Sequence, residues 1–345
     1  MAWPALAAVL LVLAAFWRMR RTWPDATHAA GLALPLAVAL AVTLGPPSPA
    51  ARASATSLAT LRAQPFPWPD PDRHGTVFHL LAWPAALVIG EERAVRLVAA
   101  VAAASGLLLG YALFRSAALA PFASLIGQAA LPVVPVIALG VGRTLFVYAL
   151  PQALVLLLLA HLVRRLGHLE GARDNAGAFA YLLLAQASGP VSTFEVGLLV
   201  VVLALTESVT GGRRRALRLA MCWVVAAAMV LLFRYAPAWL DRPTSPLRSP
   251  EGPLAEPAAL AVGATLAGVA LWLLPRSTLA PRVLGAALVA GLLARLVGRG
   301  TGMESGSGPL PGLGLVAPAA AAGMAAVSAW IRSPKTGAAA PGSRS

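Results

Sequence analysis

Apolar residues run along this chain in long, nearly unbroken blocks, at 3–17, 28–45, 76–90, 95–114, 118–139, 144–163, 176–188, 193–209, 217–235, 257–275, 280–298 and 310–331. Most are roughly 15 to 22 residues long, the length an α-helix needs to cross about 30 Å of hydrocarbon. The blocks are continuously apolar rather than alternating, which predicts helices and excludes a transmembrane β-barrel. Polar residues are confined to short stretches between them, with two longer ones at 46–75 and 236–256, both rich in proline. The expected fold class is all-α: a polytopic membrane protein with about eleven transmembrane helices plus one juxtamembrane or re-entrant helix.

Segment 76–90 supplies that exception. It is short, has Trp83-Pro84 in its middle and carries His79 on an otherwise apolar stretch. Its treatment decides the topology. If it does not cross, the other eleven segments alternate from an outside N-terminus to a cytoplasmic C-terminus. The cytoplasmic stretches then hold 16 of the 27 Lys+Arg, among them Arg18, Arg20, Arg21, Arg164, Arg165 and Arg213 to Arg215. If it crosses, the majority of the basic residues moves outside. Basic residues accumulate on the cytoplasmic side, so the non-crossing arrangement is selected. The first block is followed, not preceded, by arginines, which predicts a retained helix rather than a secretory signal.

Composition sharpens this picture. The chain is 59% apolar and only 12% charged, where a soluble domain carries about a quarter charged residues. A water-soluble globular enzyme is excluded. The formal net charge of +14 would suggest nucleic acid in a soluble chain. Here the basic excess belongs to cytoplasmic loops, so membrane lipid is the expected partner and nucleic acid is not. Cys222 is the sole cysteine, which rules out an intrachain disulfide and a cysteine-based metal site. The abundance of Ala, Arg, Gly and Pro fits a GC-rich bacterial genome, and the expected location is the bacterial inner (cytoplasmic) membrane.

Candidate chemistry is sparse. Asp70, Asp72, Arg73 and His74 form the densest polar cluster, immediately before 76–90. Two carboxylates beside a guanidinium and an imidazole suit a general base or a divalent-cation site, and the flanking prolines restrict the backbone. A solvated turn in a proline-rich loop explains the same residues. Arg143 follows Gly140-Val141-Gly142 at the outer end of one span and opens the next. A guanidinium beside free backbone N–H groups suits phosphate, and a snorkelling interfacial arginine is the alternative. His161 and Glu207 lie near cytoplasmic ends and read as structural or interfacial. No Walker, HExxH, GxSxG or CxxC motif is present. The span centres hold almost no acids, which disfavours a proton-coupled transporter.

From about 66 to 166 the order of features is recognisable. Asp72-Arg73-His74-Gly75 leads into Thr76-Val77-Phe78-His79, then the acidic pair Glu91-Glu92 and a helix opening Ala94-Val95-Arg96. The next span carries Leu131-Pro132-Val133-Val134-Pro135 and reaches Gly142-Arg143-Thr144 and Tyr148. This order resembles the integral-membrane GT-C glycosyltransferases, especially the family related to dolichyl-phosphate-mannose:protein mannosyltransferases. His74, Arg96, Arg143 and Tyr148 line up as marked positions.

The resemblance implies transfer of a sugar from a polyprenyl-phosphate donor to an envelope acceptor at the outer face of the membrane. Asp70 and Asp72 would be the catalytic carboxylates; Arg73, His74, His79, Arg96, Arg143 and Tyr148 would bind substrate. No cofactor is assigned; a divalent cation at the carboxylates stays open, as does the oligomeric state. The division expected is an extra N-terminal helix and basic loop at 1–27, a GT-C-like core at 28–235, an outer loop and C-terminal helices at 236–332, and a disordered tail at 333–345. Family members carry an acidic pair soon after the first family helix, whereas residues 46–69 contain no acid. A catalytically inactive GT-C-like protein binding lipid or envelope enzymes is therefore the alternative, and a transporter or flippase the third.

Overall fold

The computed structural model describes residues 3–20, 27–46, 49–62, 76–169, 171–235, 256–274, 278–300 and 310–332. Among them every regular element is helical. The chain is a multi-pass membrane protein: among the described residues, seven helices are long and apolar enough to cross, within 91–116, 121–142, 149–168, 191–209, 213–232, 280–298 and 313–332. Shorter apolar helices at 4–18, 30–44 and 260–273 accompany them.

The helices α1 (Trp3–Arg20) and α2 (Thr27–Leu44) pack on each other and on α5 (Glu91–Ser116). At 26 residues α5 is the longest element, about 39 Å at the helical rise. It also carries α3 (Pro49–Arg62) and α4 (Thr76–Ile89) on its side. The α4 helix has 14 residues, about 21 Å, too short for the hydrocarbon layer. It stops at Gly90, whose φ of 81° only glycine adopts readily. The acids Glu91 and Glu92 then open α5 in the first turn, where negative charge complements the helix dipole.

The α3 helix corrects an expectation. Residues 46–75 read as a loop because Ala, Ser, Thr and flanking prolines give no apolar block. Yet Ala51, Ser54 and Leu58 recur at helical spacing and are buried, while Arg52 and Thr56 face out. A narrow stripe of small residues suffices to seat the helix on α5, α4 and α7.

The block 118–139 divides into α6 (Pro121–Ala130) and α7 (Val133–Arg143), because Pro132 lacks the N–H that would continue the ladder. Then come a wide π turn (Thr144–Tyr148), α8 (Ala149–Arg165), α9 (Ala172–Ala187), α10 (Pro190–Val209), α11 (Arg213–Tyr235), α12 (Glu256–Leu273), α13 (Ala280–Gly300) and α14 (Leu313–Arg332). The main core lies between α5, α8, α9, α10, α13 and α14, with Phe114, Leu156, Leu159, Leu199 and Leu284 fully buried. Close α12–α14 packing depends on Gly323, which sits directly against the Leu266 carbonyl.

Contacts between helix ends define two faces of the bundle. At one, here called upper, the end of α2 meets the start of α5, and the starts of α8, α10 and α14 converge. At the other, lower face, Glu207 near the end of α10 lies 3.2 Å from Arg215 and 3.5 Å from Arg282. There, too, Arg165 pairs with Asp174 at 3.7 Å and Arg218 donates to the Leu169 carbonyl. Most of the chain's described arginines gather at this lower face.

Candidate functional site

The upper face is built around an irregular connection. Gly140 inside α7 has φ 75° and ψ 164°, which breaks the helix three residues before Arg143. The Thr144 hydroxyl donates to the Gly140 carbonyl at 2.8 Å and bridges the break. The π turn follows, and Pro151 shortly after it has no N–H for the carbonyl four residues back, at Val147. Loss of that bond accounts for the widened turn. Such turns occur often at functional sites.

The π turn carries Tyr148 to α14. Its hydroxyl donates to the Leu313 carbonyl at 2.8 Å, across 165 positions of sequence, and the ring is 2% exposed. The same turn of chain is held from another side by Glu195 in α10. One carboxylate oxygen, Oε1, accepts the Gly312 N–H at 2.6 Å and the Gly314 N–H at 3.3 Å. The first backbone N–H groups of a helix have no partner within it, and a carboxylate there is also favoured by the helix dipole. Glu195 therefore satisfies the start of α14 while being 3% exposed itself.

Glycine is required at this junction. Gly312 has φ 89°, and any Cβ there would collide with the Gly291 carbonyl of α13. Gly314 is likewise filled by the Glu195 carboxylate. One turn beyond Gly291 lies Arg295, 6% exposed, its Cβ close to Gly312. The upper end thus gathers Tyr148, Glu195 and Arg295 around the beginning of α14.

The expected site residues fall unevenly. Arg143 closes α7 at this upper end, three residues past the Gly140 break. Tyr148 is in the junction itself. Arg96 lies at the start of α5, where it donates to the carbonyls of Val42 and Gly45 at the end of α2, with Glu92 4.0 Å away. Those carbonyls are left over where α2 ends, so Arg96 caps one helix from another. Asp70, Asp72, Arg73 and His74 lie outside the described residues, as do the side chains of His79 and Arg143. His79 belongs to α4. Among the described residues no three His, Cys, Asp or Glu side chains come together.

Sequence reasoning missed Glu195 as a partner of α14. Its one signal is an acid at the sixth residue of a helix opened by Gly189-Pro190, and Gly312-Leu313-Gly314 marks the other half only once the contact is seen. His161 and Glu207 hold the structural places expected. The His161 ring packs edge-on to Tyr181 at 5.0 Å, and Glu207 bridges α10, α11 and α13.

Below the upper face, an apolar cavity of about 130 Å³ opens between α6, α7, α12 and α14, lined by Val133, Ile137, Val262, Leu266, Ala320 and Met324 among others.

Neither a family model nor a curated protein matches this sequence. Solved structures do match its fold. ArnT from Cupriavidus metallidurans bound to undecaprenyl phosphate superposes with a TM-score of 0.58 at 17% identity, over 90% of this chain and 61% of that one. The apo state of the same protein gives 0.51 at 16% identity, over 88% and 59%. The chain spans about three fifths of the length of that protein. At these identities the likeness shows that the chain shares the fold of ArnT in divergent form.

Proposed function

We propose that this chain is a glycosyltransferase that moves a sugar from a polyprenyl-phosphate donor to an envelope acceptor at the outer face of the bacterial inner membrane. The upper end of the bundle is that outer face, and the arginine-rich lower end is cytoplasmic, as the positive-inside rule requires. The N-terminus is then outside and the C-terminus inside.

The observation that carries this reading is the Gly140 break followed by the π turn, which keeps Arg143 at the upper end while anchoring Tyr148 to α14. An arginine at this point of the chain suits the donor phosphate, since planar forked donors match phosphate oxygens. The solved ArnT structure with undecaprenyl phosphate supports the same ligand class. The apolar cavity between α6, α7, α12 and α14, which reaches along α7 as far as Ile137, suits part of the isoprenoid chain. Arg96, already engaged with α2, braces the site rather than meeting phosphate.

In the reaction, Asp70 or Asp72 takes the proton from the acceptor hydroxyl as its oxygen bonds to C1 of the sugar. The C1–O bond to phosphate breaks, and its electron pair leaves with the polyprenyl phosphate, whose charge Arg143 stabilises. Arg73, His74 and His79 contact the same substrates. The test is sugar transfer from labelled undecaprenyl-phosphate sugars to envelope glycoconjugates in membranes containing the protein. Loss of transfer in Asp70→Ala/Asp72→Ala at unchanged expression supports the assignment; full transfer removes it.

A second reading, a non-catalytic GT-C-like protein that binds lipid, is favoured by one observation. The first outer stretch, 46–69, contains no acid, and Glu195, the buried acid of the upper end, is engaged in capping α14. The two readings separate at Asp70 and Asp72, because binding alone needs neither carboxylate.

A further inference from the structure

The α11 helix is the least enclosed of the seven spans. Only 22% of its apolar stretch is buried, against 50% or more in the other six. It packs chiefly on α9 and α10, and Leu219 and Ala226 on that side are buried in the main core. The opposite side forms one continuous exposed stripe. Arg213 and Arg214 begin it, and Leu217, Met221, Val224, Val225 and Leu232 follow at helical spacing, each about half exposed or more. From Leu217 to Leu232 the apolar part runs about 22 Å at the helical rise, enough to cover the roughly 15 Å depth of one leaflet's acyl chains.

Charge at the lower end of this stripe is not balanced within the described fold. Glu207 is taken by Arg215 and Arg282, and Asp174 by Arg165. Arg218 donates to the Leu169 carbonyl. Arg213 and Arg214 are exposed and make no ion pair or hydrogen bond with the described residues. They stand one helical turn from Leu217, where the apolar face of the span begins, which is the height of lipid headgroups. A soluble anion would meet the arginines and leave Leu217 and Met221 uncovered. A zwitterionic phospholipid would cover the stripe but bring an ammonium towards two guanidiniums. An anionic head joined to hydrocarbon chains complements both halves at once.

We propose that Arg213 and Arg214 hold the phosphate of an anionic phospholipid whose acyl chains lie along Leu217, Met221, Val224 and Val225. This surface belongs to the lower face, away from Tyr148 and Glu195, and does not rest on the glycosyltransferase reading. Two adjacent guanidiniums give the phosphate a forked set of donors, and the exposed stripe gives the chains a fixed side of the bundle to lie on.

The test is native mass spectrometry of the purified protein in mild detergent, titrated with phosphatidylglycerol or phosphatidylethanolamine of matched chains. Wild-type protein is expected to bind phosphatidylglycerol about tenfold more tightly, since each arginine near an anionic lipid surface contributes about fivefold and two act together. In Arg213→Gln/Arg214→Gln the preference falls to about twofold or less. Each single variant loses part of it, which keeps the reading testable should the double variant fail to fold. Arg282→Gln/Arg332→Gln removes the same charge from exposed arginines elsewhere on the lower face, and there the preference stays, as it does for wild type in millimolar inorganic phosphate. The inference is overturned if wild type shows no preference, or if the Arg213 and Arg214 variants keep it in full. It is equally overturned if the Arg282/Arg332 variant loses the preference, or if inorganic phosphate abolishes it. A dimer that carries no lipid would also overturn it, by placing a second copy of the chain on α11.

Discussion

Glu195 and Gly312 are joined by a hydrogen bond of 2.6 Å, although 117 positions separate them in sequence. With Gly314 accepted by the same oxygen, this single side chain fastens the start of α14 to α10 and fixes the turn that Tyr148 holds from α8. Replacing Glu195 by Ala leaves two buried amides without an acceptor, at a cost of about 1–3 kcal/mol. Glu195→Gln keeps an acceptor oxygen. Thermal unfolding in detergent is expected to show a drop of several degrees for Ala and a much smaller one for Gln; equal midpoints for all three proteins would contradict the capping role.

Tyr148→Phe removes one buried hydrogen bond to the Leu313 carbonyl, worth about 0.5–1.5 kcal/mol. Tyr148 and Glu195 hold adjacent residues of one turn, so their losses are coupled. The double variant Tyr148→Phe/Glu195→Ala is expected to differ from the sum of the singles by about 0.5 kcal/mol or more. A double-mutant cycle on unfolding midpoints measures this, and strict additivity would mean the two contacts act independently.

The charge pattern made much of this architecture legible before any coordinates. The unbroken apolar blocks announced a multi-pass helical chain. Counting arginines selected a non-crossing 76–90 and an outer Arg143; α4, in that segment, has 14 residues. What escaped was set by tertiary contact. The α3 helix is seated by Ala51, Ser54 and Leu58, a stripe too small and too polar to raise hydropathy. Glu195 escaped because an acid near a span end is ordinary until its partner, Gly312, is brought to it.

Glycine positions give a direct check on the α12–α14 contact. A Cβ at Gly323 would run into the Leu266 carbonyl, whereas one at Gly268 meets nothing within 4 Å. Gly323→Ala is therefore expected to destabilise by about 1–3 kcal/mol through overpacking. Gly268→Ala is neutral or gains up to about 1 kcal/mol of helix propensity. Paired unfolding curves distinguish them; the reverse order would show that α12 and α14 pack otherwise.

At the lower face, Glu207 is 1% exposed and served by both Arg215 and Arg282. Arg282 is 45% exposed, and its removal leaves Arg215 in place, so Arg282→Ala is expected to cost under about 1 kcal/mol. Removing both arginines strands a buried carboxylate, at about 3–5 kcal/mol. Unfolding midpoints of the singles and the double provide the check, with a double no worse than the sum as the contrary result.

The central claim, that the upper face binds a polyprenyl phosphate through Arg143, is tested most directly by native mass spectrometry of the purified protein beside Arg143→Ala. The account predicts bound undecaprenyl phosphate or its sugar-charged form in the wild-type protein and its loss in the variant, with both folded. Wild-type protein that carries only bulk phospholipid, or a variant that retains the polyprenyl lipid in full, would contradict it.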